Sequence, residues 1–131
     1  MNARILKSPR FWLALVIIGT LLLAYLSLIH APTIQIGPDV RNRVVHFIAY
    51  FVYGAILTFW RLTVRPPDST ARVFIGSFLP ASAYGLILEW LQMYLPRRDS
   101  DPFDGLCNVL GAFAGVSVSF LFRYWFQQNR N

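Results

Sequence analysis

Residues 11–29 read FWLALVIIGTLLLAYLSLI, nineteen positions without one charged side chain. A helix needs about 20 apolar residues to cross a hydrocarbon layer about 30 Å thick. This stretch is therefore read as a membrane span, and it decides the fold class. Arg4, Lys7 and Arg10 precede it, as basic residues precede a signal peptide. The apolar run is long for a signal, however, and no small-x-small cleavage site closes it, since Pro32 directly follows Ala31, the one candidate. The expectation is an uncleaved first span.

Beyond it the same alternation repeats. Residues 30–43 form a linker broken by Pro32, Gly37 and Pro38 and charged at Asp39, Arg41 and Arg43. Residues 44–60 are a second span, and 61–72 a polar connection with Arg61, Arg65, Pro66, Pro67, Asp68 and Arg72. Residues 73–95 are a third span, carrying Glu89 and Gln92 and, inside it, Pro80, where a kink or deformed turn is expected. A charged loop, PRRDSDPFD over 96–104, leads to a fourth span at 103–122 and a polar tail. The predicted fold is an all-α integral membrane protein, a four-transmembrane-helix bundle forming one domain over 1–131.

Composition agrees. Of the 131 residues, 56% are hydrophobic and only 14% charged, whereas a soluble domain carries about a quarter charged residues. The net charge of +6 would suggest nucleic acid on a soluble chain. Here the basic residues sit between spans, no basic and aromatic surface remains outside them, and a nucleic-acid partner is excluded. The lone Cys107 forms no intramolecular disulfide and belongs to no paired-cysteine metal motif. With the N-terminus inside, Arg4, Lys7, Arg10, Arg61, Arg65, Arg72, Arg123 and Arg130 are cytoplasmic, against Arg41, Arg43, Arg97 and Arg98 outside. That bias predicts both termini in the cytoplasm.

On this topology the unusual polar residues share one end of the bundle, the expected outer face. His46 opens span two, Glu89 and Gln92 lie toward the end of span three, and Asp104 and Asn108 open span four. Each continues a stripe of helical spacing: His46, Tyr50, Tyr53 and Leu57; Ala81, Gly85, Glu89 and Gln92; Asp104, Asn108, Gly111 and Gly115. Gly111-x-x-x-Gly115 suits close helix approach in a membrane. A charged carboxylate deep in a span costs about 2.5–3.5 kcal/mol. Glu89 must then be neutral, hydrated or paired, with His46, Arg43 and Arg98 as candidate partners.

These residues also carry a resemblance. Arg43-Val44-Val45-His46-Phe47-Ile48-Ala49-Tyr50-Phe51 resembles the lysine-x-x-histidine-phenylalanine-x-x-tyrosine segment of the VanZ-like family, and Glu89-Trp90-Leu91-Gln92 its glutamate-x-x-glutamine. Arg98, Ser100 and Asp104-Gly105-Leu106-Cys107-Asn108-Val109-Leu110-Gly111-Ala112 resemble its arginine, serine and aspartate-x-x-x-asparagine-x-x-glycine-alanine. The match runs over about residues 42–115 in the right order. The family often has aspartate before the basic residue where Asn42 stands here, which removes an acid from that position. The resemblance implies a multi-pass protein of the bacterial cell (inner) membrane. The founding member is associated with low-level resistance to teicoplanin, a property not carried over by a family name.

Three readings of the polar cluster follow. In the first, Arg43, His46, Tyr50, Glu89, Gln92, Arg98, Asp104 and Asn108 line an outer-leaflet site for a lipid headgroup or lipid-linked cell-envelope precursor, making membrane lipids the partners. In the second, they form an internal network that locks the helices of a structural or accessory subunit, with Arg98–Asp104 and His46–Glu89 as pairs and other membrane protein subunits as partners. The third makes His46 and Glu89 an acid–base couple. No sharper catalytic signature supports it: H-E-x-x-H, G-x-S-x-G and a P-loop are all missing. The sequence indicates no cofactor or metal.

Overall fold

Apolar runs that reach across a bilayer must satisfy their backbone internally, and an isolated run does so only as a helix. The computed structural model describes residues 8–29, 40–64, 69–95 and 101–128. They form α1 (Pro9–Leu28), α2 (Val40–Val64), α3 (Thr70–Gln92) and α4 (Pro102–Gln128). All four are long and apolar enough to cross a membrane. This is a four-helix membrane bundle, and the chain is a multi-pass membrane protein.

The helices alternate in direction. At one end Trp12 of α1 stacks on Phe59 of α2, which meets Phe122 of α4 edge-on. At the other end Gln92 of α3 reaches Ser27 of α1, and Asn42 of α2 reaches Asp104 of α4. The start of α1 and the end of α4 therefore share one side.

Boundaries differ from the hydropathy reading where capping, rather than apolar content, decides them. Pro at its first position opens α1. The Ser69 hydroxyl accepts the Arg72 amide at 3.2 Å and starts α3 ahead of its apolar run. α2 begins at Val40, taking in Arg41, Asn42 and Arg43, and α4 continues past Arg123 to Gln128. α3 stops at Gln92, after which Met93–Leu95 form a turn. It runs through Pro80 without interruption.

α2 and α4 form the most intimate pair, and α1 lies against α2 and α3. The reason lies in α4's glycines. A Cβ on Gly111 would run into the Phe47 carbonyl of α2, and one on Gly115 into that of Phe51. From the other side, a Cβ on Gly54 would stand 2.8 Å from the Ala112 carbonyl oxygen. Without a hydrophobic drive between helices in lipid, such backbone approach supplies the packing. Tyr50, Tyr53, Leu57, Ala81 and Ala112 form the core. Thr58 and Ser119 are also buried, their hydroxyls bonded to the carbonyls of Gly54 and Gly115 one turn back. α1 buries no residue.

Candidate functional site

The site is built where α4 begins. Asp101 is its N-cap: its carboxylate accepts the Phe103 amide at 2.9 Å, and Pro102 fills the first helical position. The Phe103 amide, with the Arg43 guanidinium at 2.9 Å as second cause, holds the Asp101 carboxyl below its ordinary value. The backbone N–H of Asp101 points the other way, donating to Glu89 Oε1 at 3.0 Å. Glu89 thus sits against the N-terminus of α4, where the helix dipole favours a carboxylate. Asp104 occupies the first turn of the same helix.

Around this point three helices converge. His46, one turn before Tyr50 on α2, places Nε2 3.7 Å from Asp104 Oδ2. Its Nδ1 lies 2.9 Å from Asn108 Oδ1. Asn108 Nδ2 donates to the Gly85 carbonyl of α3 at 3.4 Å. A carbonyl only accepts, so the amide nitrogen must face Gly85 and the amide oxygen must face His46. Nδ1 of His46 then carries the proton and donates. One donor atom each from His46, Glu89 and Asp104 lies within 4.8 Å of the others. Glu89, Asp104 and Asn108 are 6%, 3% and 1% exposed, and His46 is half-buried. Glu89 lies within one turn of the end of α3 and Asp104 in the first turn of α4, so the cluster stands at one end of the bundle.

The described partner of Arg43 is Asp101, and its guanidinium lies 4.6 Å over the Phe103 ring. Within the cluster, His46 faces Asp104. Arg98 and Ser100 lie outside the described residues. Gln92 is turned away from the cluster. Three residues on from Glu89 it is rotated about 60° around the helix, and its amide donates to the Ser27 carbonyl of α1 at 3.1 Å. Tyr50 is buried beneath the cluster. Gly111 and Gly115 lie deeper on α4, at the contact with α2.

Three participants escape the reading of the sequence. Asn42, one turn before His46, donates its amide to Asp104 Oδ2; the spacing 42, 46, 50 was a usable signal. Asp101 was legible as a cap from Asp-Pro-x-Asp. α1 is not the featureless anchor its composition suggests. Tyr84 donates to the Thr20 carbonyl at 2.6 Å, and the Thr20 hydroxyl, itself donating to Val16, accepts from Tyr53 at 2.8 Å.

Fold and site define a small multi-pass membrane protein with an ionisable cluster at one end. No family model matches the sequence, and no solved structure matches it. Over 55 residues, 41% of this chain, it is 34% identical to Inositolphosphotransferase 1 of Saccharomyces cerevisiae. The chain spans about a tenth of the length of that curated relative, 10% of which is covered.

Proposed function

We propose that the cluster end of this bundle engages the phosphate-bearing headgroup of a membrane lipid or lipid-linked cell-envelope precursor. The observation behind this reading is the convergence of His46, Glu89 and Asp104 from three helices at one end of the bundle. Burying ionisable groups inside a membrane bundle is expensive. Such groups in a membrane are functional candidates for that reason. The name of the yeast relative concerns transfer of inositol phosphate, a headgroup of the same chemical class. On this reading the chain is a VanZ-like protein of the bacterial inner membrane with both termini cytoplasmic and the cluster facing outward. The VanZ-like motif residues and the distribution of Lys and Arg support those parts.

A second reading has its own observation. Asn42, Arg43, His46 and Asn108 all have partners inside the protein, as a helix-locking network of an accessory subunit requires. Native mass spectrometry of the protein released from membranes separates the two. Retained anionic phospholipid, lost in His46→Ala and Glu89→Gln variants that still melt cooperatively, is the result expected of a headgroup site. Equal retention in all three proteins, or variants that no longer fold, favours the network.

A further inference from the structure

The end of the bundle away from the cluster holds a cation in a prepared seat. On α2 the buried stripe Tyr50, Tyr53, Gly54, Leu57 and Thr58 continues at helical spacing to Arg61 in the last turn. Arg61 therefore faces into the bundle, and it is half-buried. Its guanidinium crosses to α3. The three atoms nearest to a Cβ on Gly76 would be the Arg61 guanidinium carbon, Nη2 and Nε, the last at 2.8 Å. Only a residue without a side chain leaves that place open. Balancing the dipole of α2 from its last turn would need no such seat on α3.

The charge around this seat is one-sided. α3 turns the positive end of its dipole this way and has no acidic residue in its first turn, where Arg72 stands. Arg10, near the start of α1, and Arg123, in the last two turns of α4, lie on the same side. The described carboxylates, Glu89, Asp101 and Asp104, all stand at the cluster end. In sequence, the segments that join this end add Arg4, Lys7, Arg65 and Arg130 against Asp68.

We propose that Arg61, seated on Gly76, binds the phosphate of one anionic phospholipid where α2 meets α3. The proposal does not draw on the headgroup reading of the cluster, which stands at the far end of the same helices. A guanidinium grips a phosphate through paired N–H donors, and basic sites between membrane helices take anionic headgroups. An inward-facing cation in a spanning helix is a functional candidate by default. The occupant is a lipid rather than a soluble phosphate because the flanks are apolar. Val64, one turn beyond Arg61, and Ile75 and Leu79, to either side of Gly76 in sequence, are exposed and offer acyl chains a surface. Gly76 also separates the seat from the fold. Alanine there favours the helix, yet its methyl displaces the end of a flexible side chain, the guanidinium itself.

Trp60, the neighbour of Arg61, serves as reporter. With Trp12, Trp90 and Trp125 replaced by Phe, the full chain in phosphatidylcholine nanodiscs is followed by Trp60 fluorescence as the share of phosphatidylglycerol is raised. A saturable change is expected. Arg61→Gln should weaken it about tenfold or more, the worth of one charge-assisted hydrogen bond. Arg61→Lys, which keeps the charge and loses the planar fork, should weaken it several-fold, and so should Gly76→Ala. Arg10→Gln, which removes an exposed charge at the same end, should leave it unchanged, and inorganic phosphate should not reproduce it. A parent protein without a saturable Trp60 response overturns the proposal even if Arg61→Gln does not fold. So does Arg10→Gln as harmful as Arg61→Gln, folded Gly76→Ala that responds like the parent, or inorganic phosphate giving the same change. His46→Ala with Glu89→Gln keeps the two sites apart. A Trp60 response that survives both substitutions upholds this site whatever the cluster binds, and one abolished by them in folded protein sinks it.

Discussion

The backbone N–H of Asp101, at the head of α4, donates to the Glu89 carboxylate of α3 at 3.0 Å. With the bond from Asn108 to the Gly85 carbonyl, this bond joins the two helices at the cluster. It uses a main-chain donor, so it survives any residue at position 101 except proline. The Asp101 carboxylate does a different job, accepting from Phe103 and Arg43.

The two roles are separable. Asp101→Asn should keep the bond to Glu89 and a serviceable cap, and lose the ion pair with Arg43. Asp101→Ala should lose the cap as well, at a cost of about 1 kcal/mol. Thermal melts should rank wild type above Asn above Ala. Equal melts would mean that α4 does not depend on this cap.

Acid provides a second handle on the same residue. The fold holds the Asp101 carboxyl below its ordinary value of 3.8, so it favours the ionised form. Its stabilising effect is fully present above that value and disappears as pH falls through the lowered one. Melting of wild type and Asp101→Asn should therefore converge on acidification. A gap that widens toward low pH contradicts the assignment.

The glycine contact between α2 and α4 is backbone on backbone. Gly111→Ala and Gly115→Ala must push the helices apart, since the Phe47 and Phe51 carbonyls cannot swing aside. A loss of about 1–3 kcal/mol each is expected from overpacking. Gly105→Ala meets a Leu86 methyl at 3.3 Å, the end of a flexible side chain, and should be nearly neutral. Resistance to unfolding in SDS measures all three; a destabilised Gly105→Ala with intact Gly111→Ala would reverse the account of this interface.

Much of this architecture was legible because lipid imposes a strong pattern. Four apolar runs gave four helices, and the stripes through Glu89, Asp104 and Tyr50 mark faces that are buried in the bundle. The rest was hidden for identifiable reasons. α1 takes part through the Ser27 and Thr20 carbonyls, and a backbone acceptor leaves no mark in a sequence. Gln92 shares a stripe with Glu89, but the rotation between them carries it to α1. Asn42 looked like the loss of a family acid, whereas its amide finds the acid already present at Asp104.

The central claim is a headgroup site at the cluster end, and Trp90 reports on it directly. It adjoins Glu89 and is 55% exposed, while Trp12, Trp60 and Trp125 belong to the opposite ends of their helices. With those three replaced by Phe, the protein in phosphatidylcholine nanodiscs is titrated with phosphatidylglycerol while Trp90 fluorescence is followed. A saturable change, abolished by Glu89→Gln with His46→Ala in protein that remains helical, is expected. A response linear in anionic lipid, or one unchanged by the two substitutions, would contradict the account.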